Sequence, residues 1–245
     1  MYAGLASQYR IAINRGSQTA TVTDTQSGRD GRDTLVSVEK LQFGIQTFDL
    51  SNPARTEAPQ FGKSQTFLFD ASYFLLSNPT LATSLTLNNA AQYYMSTAAA
   101  QGKTPNAWFD PVYYANRWSD LKNLNLDAAT LFAHYNLFGV WEGRSAGPIF
   151  DKFDGNAYLA ANLDVAEYVD GNVKDFLGNR TNGAIAHYVI YGANEGRVAH
   201  DTTGAVIPAD FTIEATLVGV GGSVSYTHLR AHETKANLVC RLLLE

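Results

Sequence analysis

The sequence predicts an α+β fold in which a small antiparallel β segment precedes an array of three helix-pair repeats. Residues 1–50 contain short runs in which apolar and polar side chains alternate, which is typical of strands. Residues 51–66 are rich in proline and polar residues and indicate a linker. From residue 67 to residue 200 the apolar residues follow a helical period, and related stretches recur.

The β segment is predicted to open with a hairpin. "YRIAI" and "TATVTD" alternate between apolar and polar residues, and "NRGS" between them is a turn signal. We therefore expect a hairpin over Tyr9–Asp24, with Gly16 supplying the positive φ of a tight turn. A polar loop and two further β-prone runs follow, "TLVSVEKLQFG" and "IQTFDLS". The residues expected to face the core there are Leu35, Val38, Leu41 and Phe43.

Three related units follow the linker, at about 69–108, 109–152 and 153–200. Each opens with Phe-Asp and has an aromatic residue five positions after the phenylalanine and an aliphatic residue twelve positions after it. The opening phenylalanines are Phe69, Phe109 and Phe153, which are 40 and 44 residues apart. A helix pair of this size cannot bury its apolar face alone, so neighbouring units should stack. The stretch "DGNVKDFLGNR" lengthens the third unit and is predicted to be a surface insertion.

Both ends of each helix pair carry predicted capping residues. Asp70, Asp110 and Asp154 follow the opening phenylalanines and can cap a helix N-terminus. The second helices end in "HYNLFGVWEGR" and "HYVIYGANEGR", where Gly143 and Gly196 fit a left-handed C-cap position. The first unit has a weaker copy, "YYMSTAAAQGK". In the second unit, the residues predicted to share one apolar helix face are Leu131, Phe132, Tyr135 and Phe138.

The twin motifs raise the question of metal or acid–base chemistry at His134 and His187. In each motif the glutamate lies eight residues after the histidine, which is not the i, i+4 spacing of a helical metal pair. The first unit has Tyr93 in place of the histidine. We therefore interpret the motif as structural. The expected core tyrosines are Tyr135 and Tyr188, and the expected ion pairs join Arg144 to Asp120 and Arg197 to Asp164.

Composition limits the classes of function. The chain has 245 residues, 18 Lys and Arg, and 23 Asp and Glu, for a net charge of −5, so no basic surface for nucleic acid or an anionic membrane is expected. No apolar run approaches the roughly 20 residues that span a bilayer. The first residues do not resemble a signal peptide. No HExxH, P-loop or dinucleotide fingerprint is present, so we predict that this chain is not an enzyme.

The C-terminal part of the chain is predicted to differ in origin. Residues 201–223 turn β-like again and are expected to begin a truncated β domain. Residues 224–245 resemble the conceptual translation of a sequencing-library adapter, in "VSYTHLRAHET" and "LVCRLLLE", and are left out of the fold prediction. Three basic residues, two acidic residues and the one cysteine lie there, so the rest has 15 basic and 21 acidic residues. We expect the chain to be a piece of a longer protein, without disulfides or cysteine metal sites.

The loop "SGRDGRDTL" combines glycine with carboxylates that could bind calcium at Asp30 and Asp33, although a polar hairpin loop is the alternative interpretation. Residues Tyr9–Phe43 resemble the segment that closes or flanks repeats-in-toxin (RTX) calcium-binding arrays, with a form like "GRDGTDTLxxIExLQF". Here Arg32 stands in the usual threonine position, and no tandem Gly-Gly-x-Gly-x-Asp precedes it. The resemblance implies calcium as the cofactor.

The three units resemble the "FDxxYYLxxNPDVxxA…HYxxxGxxEGR" repeats of large secreted and cell-surface bacterial proteins. This resemblance implies an extracellular or cell-surface location, an export signal outside the chain, and a cell-surface glycan or protein as partner. We therefore expect a non-catalytic structural or adhesive interaction module. One alternative is an accessory region of a secreted protease or glycan-active hydrolase. Another is carbohydrate binding by exposed aromatic residues such as Trp108, Trp118 and Trp141.

Overall fold

A computed structural model of the chain describes residues 1–50, 60–209 and 211–214. It contains both antiparallel sheets and helices, so the predicted α+β class is confirmed. The adapter-like residues 224–245 lie outside the described residues, and so do residues 51–59 of the expected linker.

The N-terminal β segment is a three-stranded meander followed by a separate hairpin. The strands are β1 (Tyr9–Asn14), β2 (Thr19–Asp24), β3 (Arg32–Val36), β4 (Lys40–Phe43) and β5 (Gln46–Asp49). Strand β1 pairs with β2 from Tyr9 opposite Asp24 to Asn14 opposite Thr19, which confirms the predicted hairpin. Because side chains alternate along a strand, Ile11 from β1 and Val22 from β2 are buried on the same face.

Gly16 has a different role from the predicted one. The left-handed conformation near the β1–β2 turn belongs to Gln18, with a φ of 53°. Gly16 instead lies against the third helical unit, where an added Cβ would be 2.3 Å from the Cα of Gly196. Glycine is therefore needed here for the close approach of two backbones and not for the turn itself.

The helices form three units that share one plan. In chain order they are α1 (Ala71–Ser77), α2 (Ala90–Tyr93), α3 (Pro111–Arg117), α4 (Ala128–His134), α5 (Gly155–Ala161), α6 (Leu163–Gly171) and α7 (Arg180–His187). The side chains of Asp70, Asp110 and Asp154 accept hydrogen bonds from backbone amides in the first turns of α1, α3 and α5, which confirms the predicted N-caps.

The last helix of each unit, which is α2, α4 or α7, continues into a π-helical turn that the sequence analysis did not predict. These turns are Tyr94–Ala98, Tyr135–Gly139 and Tyr188–Gly192. A π turn holds more residues than an α turn, so it rotates the later side chains out of the helical stripe. Leu131, Phe132 and Tyr135 are buried as predicted, but Phe138 is 37% exposed, and its predicted place in the core is wrong.

The helix pairs end at left-handed glycines, after which the chain returns to its own N-cap. Gly143 and Gly196 have φ values of 69° and 75°, which confirms the predicted C-caps. The backbone amide of each capping aspartate then donates to a carbonyl beyond that glycine, so each unit closes on itself. The three bonds are Asp70 to Pro105 at 3.0 Å, Asp110 to Ala146 at 3.0 Å and Asp154 to His200 at 2.9 Å.

The last three described strands pair with one another or with a strand near the N-terminus. Strands β6 (Ala199–His200) and β7 (Val206–Ile207) pair with each other. Strand β8 (Phe211–Ile213) pairs with β1, so the first sheet has the order β3-β2-β1-β8. The sequence analysis expects a further β domain at 201–223, whereas the described part of this segment buries Phe211 beside the N-terminal sheet.

The insertion of the third unit lies on the surface as predicted, apart from one buried side chain. Phe176 within it is buried and stacks on Trp141 of the second unit, with ring centroids 6.2 Å apart. The insertion therefore supplies a core side chain to the contact between the second and third units.

Candidate functional site

The recurring histidines make the same contact in the second and third units. The hydroxyl oxygen of Tyr114 lies 3.0 Å from Nδ1 of His134, and that of Tyr158 lies 3.0 Å from Nδ1 of His187. Burial raises the pKa of both tyrosines well above its ordinary value, so both stay neutral. A neutral hydroxyl can donate to an unprotonated Nδ1, which makes each pair a half-buried hydrogen bond.

A glycine in each π turn makes room for the tyrosine hydroxyl. A Cβ added at Gly139 would lie 2.1 Å from the hydroxyl oxygen of Tyr114, and one at Gly192 would lie 2.2 Å from that of Tyr158. The sequence analysis gave neither glycine a role. The recurring spacing His-Tyr-x-x-x-Gly in both motifs was the signal that could have found them.

The first unit replaces the three members of this arrangement together. Phe74 stands in place of the tyrosine, Tyr93 in place of the histidine, and Ala98 in place of the glycine. Phe74 has no hydroxyl, so the π turn can accept the methyl group of Ala98, and both residues are fully buried. The fold of a unit therefore accepts two sets of side chains at this contact. The second and third units have Tyr–His–Gly, and the first has Phe–Tyr–Ala.

The arginines at the ends of the motifs form the predicted ion pairs. Arg144 lies 2.9 Å from Asp120, and Arg197 lies 2.6 Å from Asp164, so both pairings are confirmed. Each arginine also bonds the glutamate of its own motif. Hydrogen bonds from the arginines lower the pKa of Asp120 and of Asp164 below its ordinary value. In the first unit, Lys103 instead donates to Asn78 at 2.6 Å.

We expect Asp164→Asn to lower the melting temperature of the chain slightly. The carboxylate of Asp164 is 64% exposed, so water screens the ion pair that it forms with Arg197. Thermal unfolding followed by circular dichroism measures the effect. Glu167→Gln, which removes an exposed charge from the same helix, is the matched control. Equal melting temperatures for Asp164→Asn and the unmodified chain would show that this pair does not tie the helices together.

Because His134 and His187 are half-buried, we expect the chain to lose stability in mild acid. Burial lowers the pKa of His134 and of His187 below its ordinary value of 6.5. The fold therefore favours the neutral imidazoles, and their contribution is present above pH 6.5 and lost as the pH falls through the folded pKa. We expect the urea midpoint to fall between about pH 7.5 and pH 5, before the ion-paired carboxylates protonate.

The matched control for this pH dependence is His200→Asn, because His200 is exposed. Its urea midpoint should change with pH as that of the unmodified chain does. A midpoint that stays constant from about pH 7.5 to pH 5 would contradict the assignment to the two buried histidines.

The two calcium candidates lie at the start of β3, with Asp30 just before the strand and Asp33 within it. A carboxylate oxygen of Asp30 accepts hydrogen bonds from the Ala3 amide, at 2.8 Å, and from the Tyr9 hydroxyl. Asp33 lies in β3 opposite Val22. Among the described residues, no group of three or more His, Cys, Asp or Glu side chains could hold a metal ion. Calcium takes six to eight oxygen ligands, so these side chains do not fit it, and the calcium prediction rests on the resemblance alone.

The three tryptophans are engaged in packing. Trp141 is buried between Phe67 and Phe176, with centroid distances of 6.2 Å to each. Trp108 packs edge-on against Phe150 at 5.7 Å. The guanidinium groups of Arg117 and Arg144 lie 5.2 and 5.1 Å from the ring of Trp118. Burial therefore argues against carbohydrate binding by Trp141, whereas Trp108 and Trp118 are half-buried.

The fold and the site define an α+β protein in which three closed helical units pack with a small β sheet. No helix in the described ranges is long and apolar enough to cross a membrane. No protein-family model, curated protein or solved structure matches the chain.

Proposed function

We propose that this chain is a non-catalytic structural or adhesive interaction module of a secreted or surface-attached bacterial protein of the RTX type. The observation that carries the proposal is the joint replacement of the Tyr–His–Gly set by Phe74, Tyr93 and Ala98 in the first unit. A packing arrangement tolerates such a replacement when its volume and contacts are kept. A catalytic histidine has no such substitute, because its chemistry depends on the imidazole.

The contacts of the other recurring side chains support the same proposal. Each histidine bonds a buried tyrosine, and each arginine bonds two carboxylates of its own unit. These groups stabilise the fold of the unit that carries them. The resemblance of residues 9–43 and of the three units to segments of RTX and bacterial surface proteins supports export to the cell surface. The partner would then be a cell-surface glycan or protein.

The proposal is tested by measuring whether the folded chain binds bacterial surfaces. Fluorescently labelled chain is mixed with intact bacteria and with purified surface polysaccharide, and the bound fraction is measured by co-sedimentation. We expect saturable binding that heat-unfolded chain does not show. Absence of saturable binding, or turnover of protein or glycan substrates by the purified chain, would contradict a non-catalytic adhesive module. Repeating the assay with calcium and with a chelator tests the cofactor prediction, because equal binding counts against it.

A further inference from the structure

The turn between β2 and β3 holds an arginine that is surrounded by oxygen atoms. Nε and one terminal nitrogen of Arg29 donate to the two carboxylate oxygens of Asp24, at 2.7 and 2.6 Å. The other terminal nitrogen donates to the side-chain oxygen of Gln8 at 2.8 Å. The guanidinium lies over the ring of Tyr9, 4.9 Å from its centroid, and an added Cβ at Gly4 would overlap it. Three oxygens, an aromatic face and a backbone segment therefore enclose this one cation.

The carboxylate of Asp24 has no acceptor site left for a further ligand. Its side chain is fully buried, and that of Arg29 is 17% exposed. Besides the two bonds from Arg29, its oxygens accept from the amides of Gln26 at 2.8 Å and Asp30 at 3.1 Å. A carboxylate has about four acceptor sites, so all of them are used. The bonds from Arg29 hold the pKa of Asp24 well below its ordinary value, so the carboxylate stays ionised.

The two other carboxylates beside this turn also lie against protein groups. Asp30 accepts from the Ala3 amide and the Tyr9 hydroxyl, which ties the N-terminal residues to the turn. Burial and the nearby carboxylate of Asp33 raise the pKa of Tyr2 to about 12. Calcium would have to displace several of these protein groups to gather its six to eight oxygen ligands.

We propose that the guanidinium of Arg29 is the internal cation of this segment, which therefore folds without calcium. The RTX resemblance implies a bound calcium ion, whereas here the chain itself supplies the positive charge, and the paired bonds to Asp24 fix its position. The same turn holds Asp30 where it binds the Ala3 amide. Metal dependence of the fold is separate from the choice of partner, so binding to bacterial surfaces does not bear on it.

The first test measures the metal dependence of the full chain. Thermal unfolding is followed by circular dichroism in calcium chloride and in the chelator EGTA. We expect equal melting temperatures, because a ligand that does not bind the folded chain cannot stabilise it. A rise in melting temperature with calcium that is absent from the double variant of Asp30→Asn with Asp33→Asn would overturn the proposal.

The second test removes the internal cation. We expect Arg29→Gln to lower the melting temperature by about 10 °C, because it leaves the buried carboxylate of Asp24 without its counter-charge. The matched control is Arg32→Gln, which removes the same charge from an exposed position in β3 and should change the melting temperature little. Arg29→Lys keeps the charge but not the paired bonds, so its melting temperature should be intermediate.

Equal melting temperatures for Arg29→Gln and Arg32→Gln would show that the guanidinium does not hold the turn, which also overturns the proposal. Should Arg29→Gln not fold, Arg29→Lys and Arg32→Lys give the same comparison. A lower melting temperature for Arg29→Lys than for Arg32→Lys is then the expected result, because lysine cannot make both bonds to the carboxylate of Asp24.

Discussion

Gly139→Ala is expected to destabilise the chain by about 3 kcal/mol, because overpacking in a rigid core and loss of a buried hydrogen bond add up to this order. The added Cβ would lie 2.1 Å from the hydroxyl oxygen of Tyr114 and 3.0 Å from the ring of Tyr135. Both tyrosines are buried, so neither ring can move into solvent. Relief would require the Tyr114 hydroxyl to leave His134 or the π turn to unwind. Urea unfolding followed by circular dichroism measures the change in free energy.

The first unit indicates which second substitution should restore the stability that Gly139→Ala removes. Tyr114→Phe removes the hydroxyl that meets the new methyl group, so Tyr114→Phe with Gly139→Ala reproduces the pair formed by Phe74 and Ala98. We expect the double variant to recover most of the stability lost by Gly139→Ala alone, which makes the two effects strongly non-additive.

The matched control for Gly139→Ala is Gly171→Ala. Gly171 ends helix α6, and an added Cβ there meets nothing within 4 Å. Alanine is the better helix former, so this variant should be neutral or slightly stabilising. If Gly139→Ala is as mild as Gly171→Ala, the close contact with Tyr114 does not constrain the π turn.

Asp70→Ala is expected to cost about 3 kcal/mol, compared with about 1 kcal/mol for Asp110→Ala, which removes only a helix cap. Asp70 accepts a hydrogen bond from the Tyr73 amide at 2.8 Å and is also bound by both terminal nitrogens of Arg15. The two side chains of this ion pair are 9% and 17% exposed. Removing the carboxylate therefore leaves a largely buried guanidinium without its counter-charge.

The difference in stability between Asp70→Ala and Asp110→Ala measures the contribution of the ion pair with Arg15, because both aspartates cap a helix at the same position of their repeat. Asp110 is exposed and accepts from the backbone amides of Val112 and Tyr113 at 2.9 Å. Urea midpoints of the two alanine variants give the difference directly. Arg15→Met should cost less in the Asp70→Ala background than in the unmodified chain, as expected for coupled residues. Equal costs for Asp70→Ala and Asp110→Ala would mean that the link between the sheet and the first unit adds no stability.

The N-terminal hairpin and the helix ends were predictable because their signals are local. Alternation along Tyr9–Asp24 specifies which side chains share a face, and a one-residue slip in pairing would expose that face. An aspartate after phenylalanine caps the next helix through bonds to amides two or three residues away. The ion pairs of Arg144 and Arg197 were predictable for a different reason: their partners recur with them in the repeat.

The π turns and the role of Gly139 were not predictable in this way. An apolar helix face with a period of 3.6 residues would place Phe138 in the core. The π turn holds more residues than an α turn, so the Phe138 side chain is rotated away from that face and is exposed. The reason for the glycine is the hydroxyl of Tyr114, which lies on the preceding helix. The turn therefore depends on a contact between two helices, and no periodicity within one helix contains that information.

The sequence by itself determined the α+β class, the repeated units, their caps and the paired charges, because each depends on residue types at short or repeating intervals. Only the tertiary structure decided that β8 joins β1, that Gly16 meets Gly196, and that Phe61 before the first unit packs on Phe138 of the second. These features depend on close packing between residues far apart in the chain. Such packing is set by the shapes of the assembled units, which local patterns do not specify.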